Sequence, residues 1–105
     1  MTGPDQFEIY NDEFERILGP APSLRLLNDT LTFAEGVCWV PGRDSASGKV
    51  IVSDIPSNRI VSWSETDGSG IFREPSDCAN GNAIDLEGRV VSCTTRGRTV
   101  VREEH

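Results

Sequence analysis

The sequence predicts an all-β protein, and three of its features support that fold class. Residues 33–63 hold an acidic residue before a glycine and then three short apolar runs, each bounded by turn formers and too short for a helix. Ten glycines and six prolines in 105 residues favour many turns over long helices. Residues 79–102 repeat the order of strand, turn and strand, which indicates a second copy of one β-rich unit.

Residues 1–32 are predicted to form an arm before the first unit. A short helix is expected over residues 11–18, because Asn11 or Asp12 can cap its first turn, acidic residues fill that turn, and Gly19-Pro20 ends it. Residues 23–28 alternate between polar and apolar side chains well enough to predict a strand.

The first unit is predicted to hold four strands and the second unit three. In the second strand of the first unit, Val50 and Val52 fall on one face and Ile51 on the other. The predicted strand ranges are 36–40, 49–54, 59–64 and 71–73 in the first unit, and 80–85, 90–94 and 99–103 in the second.

The spacing of the two units bears on the architecture. Their starts lie roughly 45 residues apart, which is typical of four-stranded blades of a β-propeller. A single β-sandwich fits the same pattern equally well. Both architectures therefore stay open when the pattern alone is considered.

The charge and hydropathy of the chain argue against two classes of partner, nucleic acids and membranes. The net charge of −7 argues against binding to nucleic acid, and the basic run Arg96, Arg98 and Arg102 is interpreted as one solvated strand edge. No basic segment followed by an apolar run opens the chain, and no stretch has the roughly 18 apolar residues that span a bilayer. We therefore expect a cytoplasmic protein with no nucleic-acid or membrane partner.

The three cysteines, Cys38, Cys78 and Cys93, form no CxxC pair and leave one over. They are interpreted as reduced, buried residues of a cytosolic protein. His105 is the only histidine, so the sequence excludes histidine-based nucleophilic catalysis.

Three stretches carry a family resemblance: FAEGVCWVP at 33–41, VIVSDIPSNRIVSW at 50–63 and FREPSDCANGNAIDLEGRVVSC at 72–93. Together they resemble the start of the gluconolactonase and regucalcin family, also called the senescence-marker-protein family. The resemblance implies a six-bladed β-propeller, with residues 33–105 as the first blade and most of the second. It also implies that residues 23–28 are the strand that closes the ring against the last blade.

The same resemblance implies hydrolysis of a sugar lactone or related ester in a central channel. A divalent cation (Ca²⁺, Zn²⁺, Mn²⁺ or Mg²⁺) would polarise the carbonyl and help to generate a hydroxide-like water. Glu35 matches a metal ligand of the family, whose other protein ligands lie in blades absent from this chain. Position 37 is valine where the family usually has proline, which removes a fixed φ beside Glu35.

Asn80 and Asn82 are candidate substrate-binding residues, since both lie on the inner strand of the second unit. Turn formation by Asn-Gly is the alternative. The alternative for Glu35 is a solvated side chain at the start of a strand that binds no metal. Asp54 and Asp85 are predicted to bond to backbone at turns rather than to act as catalytic acids.

A second function class stays open beside the hydrolase. The chain would then be a truncated, catalytically silent relative that acts as a binding module or self-associates through open sheet edges. Because most of the implied site is missing, we expect little or no lactone turnover from the chain alone.

Overall fold

The computed structural model describes residues 6–44 and 46–104, so the first five residues of the predicted arm, Ser45 and His105 lie outside the described residues. Within those ranges the chain is mostly antiparallel β-strand with one short helix, which confirms the predicted β-rich class. The elements are α1 (Asp12–Leu18), β1 (Ala34–Val40), β2 (Lys49–Asp54), β3 (Arg59–Ser64), β4 (Gly68–Arg73), β5 (Ala79–Ile84), β6 (Val90–Thr94) and β7 (Thr99–Arg102).

The strands form two separate sheets in chain order, β1-β2-β3-β4 and β5-β6-β7. Both sheets have a bulge early in their first strand: the register shifts between Glu35 and Cys38 in the first sheet and between Ala79 and Asn82 in the second. The separation of the two bulges in the chain, roughly 45 residues, matches the period predicted from the sequence. Glu35 and Ala79 therefore occupy matching positions in the two sheets, and Asn80 matches Gly36.

The apolar core lies between the two sheets. Ile51 and Ile60 of the first sheet are fully buried against Ala79 and Val90 of the second. Removal of this apolar surface from water is the main force that holds the sheets together. Four half-buried residues complete the core: Cys38, Val40, Phe72 and Ile84.

Helix α1 forms where the sequence predicts a helix. The Asn11 side chain accepts a hydrogen bond from the Glu13 amide at 2.7 Å, and Gly19 ends the helix with a left-handed φ of 75°. No residue of α1 is buried, so local contacts rather than core packing stabilise it. Within the described ranges, no helix is long and apolar enough to cross a bilayer.

The prediction of a strand over residues 23–28 is wrong, because none of these residues forms a strand in the structure. A strand needs a neighbour that pairs with its backbone groups, and this segment meets the first sheet through other contacts. The Ser69 hydroxyl donates to the Leu27 carbonyl at 3.3 Å. Arg25 pairs with Glu65 at 2.5 Å. The arm therefore lies against the first sheet without extending it.

Three strand starts also differ from the sequence prediction, the smallest difference being that β5 begins at Ala79 rather than at 80. Strand β1 begins at Ala34, two residues early, because Ala34 and Glu35 already pair with β2. Strand β4 begins at Gly68 rather than at 71, because Gly68 pairs with Ser64 across a short hairpin. Glycine-rich sequence at 68–70 hides this strand, since glycine carries no strand preference.

Candidate functional site

Glu35 is the second residue of β1 and pairs with Ser53 of β2. It is exposed and lines a cavity of about 420 Å³ on the outer face of the first sheet, the face opposite the core. The other lining residues are mostly apolar and include Leu27, Leu31, Val37, Val50, Val52 and Trp63. Glu35 is the one carboxylate among the lining residues of this cavity, so its negative charge lies beside an apolar surface.

Strand β1 bulges directly after Glu35. The register with β2 shifts between Glu35 and Cys38, and Gly36 has a left-handed φ of 66°. A Cβ on Gly36 would overlap the Asn80 carbonyl and touch the Asn82 side-chain nitrogen. The bulge in β1 therefore begins at the Glu-Gly pair of the sequence, and the two sheets approach each other closely at the same place.

The Asn82 side chain joins the two sheets beside this bulge. Its Nδ2 donates to the Gly36 carbonyl at 2.9 Å and to Ser53 Oγ at 2.8 Å. Its Oδ1 accepts from the Ser92 hydroxyl at 2.6 Å. Ser53 and Ser92 are fully buried, so these bonds satisfy polar groups that water does not reach.

Asn80 lies at the start of β5 and is half-buried. Its Nδ2 donates to Thr95 Oγ1 at 2.9 Å, and its Oδ1 accepts from the Gly81 amide at 2.6 Å. The local bond from Gly81 is of the turn-forming kind, so the alternative role of Asn80 as a turn former accounts for part of its hydrogen bonding. Substrate binding by Asn80 and Asn82 stays a prediction, but the structure does bring both next to Gly36 and hence near Glu35.

Asp85 forms the turn that the sequence predicts. Its carboxylate accepts from the Glu87 amide at 2.9 Å, from the Arg89 amide at 2.9 Å and from Arg89 Nε at 2.8 Å. The backbone bond from Arg89 lowers the pKa of Asp85 below its usual value, with the Arg89 side chain and the Glu87 amide adding to it against a smaller effect of burial.

Asp54 does more than close a turn. Its carboxylate is fully buried, accepts from the Thr32 and Phe33 amides at 3.2 and 3.1 Å, and pairs with Arg59 at 3.3 Å. Burial alone would raise the pKa of Asp54, but the bonds from Phe33, Thr32, Ser57 and Arg59 together hold it below its usual value. An ionised Asp54 therefore fixes the end of the arm just before Glu35.

The described residues fit one ligand of a divalent cation and not a complete site. Hard divalent cations such as Ca²⁺ take about six to eight oxygen ligands. Within 6–44 and 46–104, no group of three or more His, Cys, Asp or Glu side chains could hold a metal ion. Glu35 can thus offer a charged oxygen, and the rest of a coordination shell has to come from elsewhere.

Cys38 is disfavoured as an alternative reactive group. Burial raises the pKa of the Cys38 thiol, which disfavours the thiolate that catalysis or metal binding needs. Cys38 and Cys78 are half-buried, and Cys93 is exposed. The prediction of a buried residue is therefore wrong for Cys93, which points away from the core on β6.

Sequence reasoning missed the serines that support the site. Ser53 and Ser92 stand on the core-facing sides of β2 and β6, among residues such as Ile51 and Val90. A serine on an otherwise apolar strand face is the signal that could have found them, because a buried hydroxyl needs a polar partner.

Comparison with known proteins supports the resemblance seen in the sequence. No protein-family model and no curated protein matches the chain. A solved structure designated a gluconolactonase aligns with a TM-score of 0.68 and 31% identity, over 77% of this chain and 27% of its own. A gluconolactonase from Xanthomonas campestris, described as important in glucose secondary metabolic pathways, aligns with a TM-score of 0.66 and 28% identity, over 74% of this chain and 25% of its own. The predicted resemblance to gluconolactonases is confirmed, and the chain spans about a quarter of the length of these relatives.

Proposed function

On the premise that this chain resembles about a quarter of a gluconolactonase, we propose that it forms the amino-terminal part of a metal-dependent sugar-lactone hydrolase. Its first sheet is the first blade of a six-bladed propeller, its second sheet is most of the second blade, and residues 1–32 are the preceding arm. The matching bulges that follow Glu35 and Ala79 support two copies of one repeating unit. The substrate is a small sugar lactone or a related ester.

The observation that carries this proposal is the position of Glu35. It is exposed at the start of the inner strand, directly before a bulge that the second sheet contacts. In this proposal Glu35 binds a divalent cation (Ca²⁺, Zn²⁺, Mn²⁺ or Mg²⁺) whose other protein ligands lie outside the described residues. A carboxylate suits this role because hard cations prefer charged oxygen ligands.

Asn80 is the substrate-binding residue of the proposal. One of its amide hydrogens bonds to Thr95, and the second has no partner among the described residues. That hydrogen can be donated to a carbonyl or ring oxygen of a lactone. Asn80 follows Ala79 at the bulge of β5 as Gly36 follows Glu35 at the bulge of β1, so Asn80 and Glu35 lie at the same ends of their strands.

Binding of Mn²⁺ tests the role of Glu35. Mn²⁺ is paramagnetic and broadens NMR signals of nuclei near it. We expect low affinity, because one carboxylate cannot replace a hydration shell, but preferential broadening of the amide signals of residues 34–37 and 80–82. In Glu35→Gln this local broadening should disappear, because the neutral amide lacks the charge that the cation prefers.

The control for this experiment is Glu74→Gln. Glu74 is exposed and has no hydrogen bond or ion pair among the described residues, so its loss removes the same charge elsewhere. It should leave the broadening at residues 34–37 unchanged. Equal effects of the two substitutions would mean that Mn²⁺ samples the acidic surface in general, and Glu35 would lose its assigned role.

Turnover separates the hydrolase from the silent alternative. We expect at most slow lactone hydrolysis by the chain, dependent on added metal and absent in Glu35→Gln. Hydrolysis that persists in the variant contradicts the role of Glu35. No hydrolysis with any of the four cations favours a catalytically silent module.

One observation favours that alternative. Strand β7 pairs with β6 on one side, and all four of its residues are exposed. An unprotected edge strand can pair with another chain. Sedimentation across a concentration series would reveal such self-association, and a constant monomer mass would contradict it.

A further inference from the structure

The Asn82 side chain has one orientation that fits its surroundings. A carbonyl oxygen can only accept, so the atom that faces the Gly36 carbonyl at 2.9 Å must be the amide nitrogen. The second hydrogen of the same nitrogen reaches Ser53 Oγ at 2.8 Å. Both amide hydrogens are therefore used inside the protein, which leaves Asn82 without a donor for a substrate.

The acceptor side of Asn82 is fixed by a chain of bonds that runs from Ser92 in the second sheet to Arg73, the last residue of β4 in the first sheet. Arg73 donates to Ser92 Oγ at 3.3 Å, so the Ser92 hydrogen is free to be donated to Asn82 Oδ1 at 2.6 Å. Arg73 is itself held by Glu103 at 2.8 Å. A continuous line of polar contacts thus runs from Glu103 to the Gly36 carbonyl, and such buried lines hold their members in one geometry.

This line ends on the peptide unit between Gly36 and Val37, one residue beyond Glu35. Residue 37 is valine, which has no ring to fix its φ, and Gly36 is the most permissive residue available for the bulge. The backbone beside Glu35 therefore has little stiffness of its own. Because a bulge sets the direction of neighbouring side chains, a contact that fixes Gly36 also fixes where the Glu35 carboxylate lies.

Resting on the metal-binding role proposed for Glu35, we infer that Asn82 is a positioning residue. It holds the Gly36 carbonyl from the opposite sheet and so keeps the Glu35 carboxylate in the orientation that receives the cation. This role replaces direct substrate binding, which its occupied amide does not favour. Groups that orient a metal ligand without touching the metal affect its affinity by about 10- to 100-fold in other proteins.

The test compares Asn82→Asp with Val90→Ala. Asn82→Asp keeps the shape and the acceptor for Ser92 but places an oxygen against the Gly36 carbonyl. Val90→Ala removes buried apolar surface from the same interface and leaves the polar line and the Gly36 contact in place. Both variants lose contacts between the sheets, so a merely structural role predicts similar effects for the two. Asn82→Ala serves as the second variant if Asn82→Asp does not fold.

Two readouts are measured at a temperature where every variant is folded. The first needs no metal: the backbone couplings of Gly36 report whether its left-handed φ is kept. The second is Mn²⁺ broadening at residues 34–37. We expect Asn82→Asp to change the Gly36 couplings and to weaken Mn²⁺ binding roughly tenfold, while Val90→Ala changes neither.

Equal changes in both variants would overturn the inference, and so would a loss of the Gly36 geometry without any loss of Mn²⁺ binding at Glu35. The function proposed for Glu35 fails separately, if the unsubstituted chain shows no preference of Mn²⁺ for residues 34–37. In that case unchanged Gly36 couplings in Asn82→Asp also overturn the claim that Asn82 fixes the bulge. Altered Gly36 couplings in Asn82→Asp would then support only the claim that Asn82 fixes the bulge, and not a role in metal binding.

Discussion

A Gly36→Ala variant is expected to lose about 2–5 kcal/mol of its free energy of unfolding, from a strained left-handed residue and an overpacked contact. The φ of Gly36 is 66°, and the added methyl group would overlap the Asn80 carbonyl. A backbone carbonyl cannot rotate away as a long side chain can, so the two sheets have to separate locally. Urea denaturation followed by circular dichroism measures the loss.

Gly68→Ala is the matched control. Gly68 has almost the same φ, 68°, but a Cβ there would meet nothing within 4 Å. Gly68→Ala should therefore lose only about 1–2 kcal/mol of the free energy of unfolding, from the conformational strain alone. The difference between the two variants isolates the close approach of β5 to β1. Equal losses would show that the second sheet does not press on Gly36 in solution.

An Asp54→Asn variant is expected to lose about 2–3 kcal/mol, because hydrogen bonds to a charged group are stronger than those to a neutral one. The neutral amide can still accept from the Thr32 and Phe33 backbone, but it no longer pairs with Arg59. Thermal or urea denaturation measures the change. Asp67→Asn is the control, since Asp67 is an exposed turn residue, and its effect should stay within about 0.5 kcal/mol.

The same carboxylate predicts how stability depends on pH. The folded-state pKa of Asp54 is lowered, so its contribution is complete above the unfolded-state pKa of about 3.9 and is lost as the pH falls through the lower folded value. Asp85 and Glu104, whose pKa values are also lowered, add to the loss in acid. Asp54→Asn should therefore lose less stability on acidification than the unsubstituted chain. Parallel acid profiles for the two proteins would contradict an ionised, stabilising Asp54.

The repeated strand pattern could be predicted from the sequence because it depends on local rules. Alternation along residues 49–54 and turn formers between the runs placed most strands within a few residues of their observed positions. The strand predicted at 23–28 failed because alternation says nothing about whether a partner strand is present. In the described residues this segment contacts side chains of the first sheet instead of extending it.

The candidate site was only partly predictable, because its supporting contacts join distant positions. Asn82 and Gly36 lie 46 residues apart, and the sequence offers only a local account of Asn82, as a turn former. Asp54 was predicted at a turn, yet its bonds to residues 32 and 33 tie it to the arm. The family resemblance singled out Glu35 as a candidate ligand, whereas the bulge and the polar line beside it required the fold.

The position of Arg25 above Trp63 has a practical consequence for spectroscopy. The guanidinium lies 5.3 Å from the ring centroid, and the indole also lines the cavity that Leu27 and Leu31 of the arm help to cover. Trp39, the other indole, is already 52% exposed. The change in intrinsic fluorescence on unfolding should therefore report mainly on Trp63. An emission shift that precedes the loss of the circular dichroism signal would mean that the arm detaches before the sheets unfold.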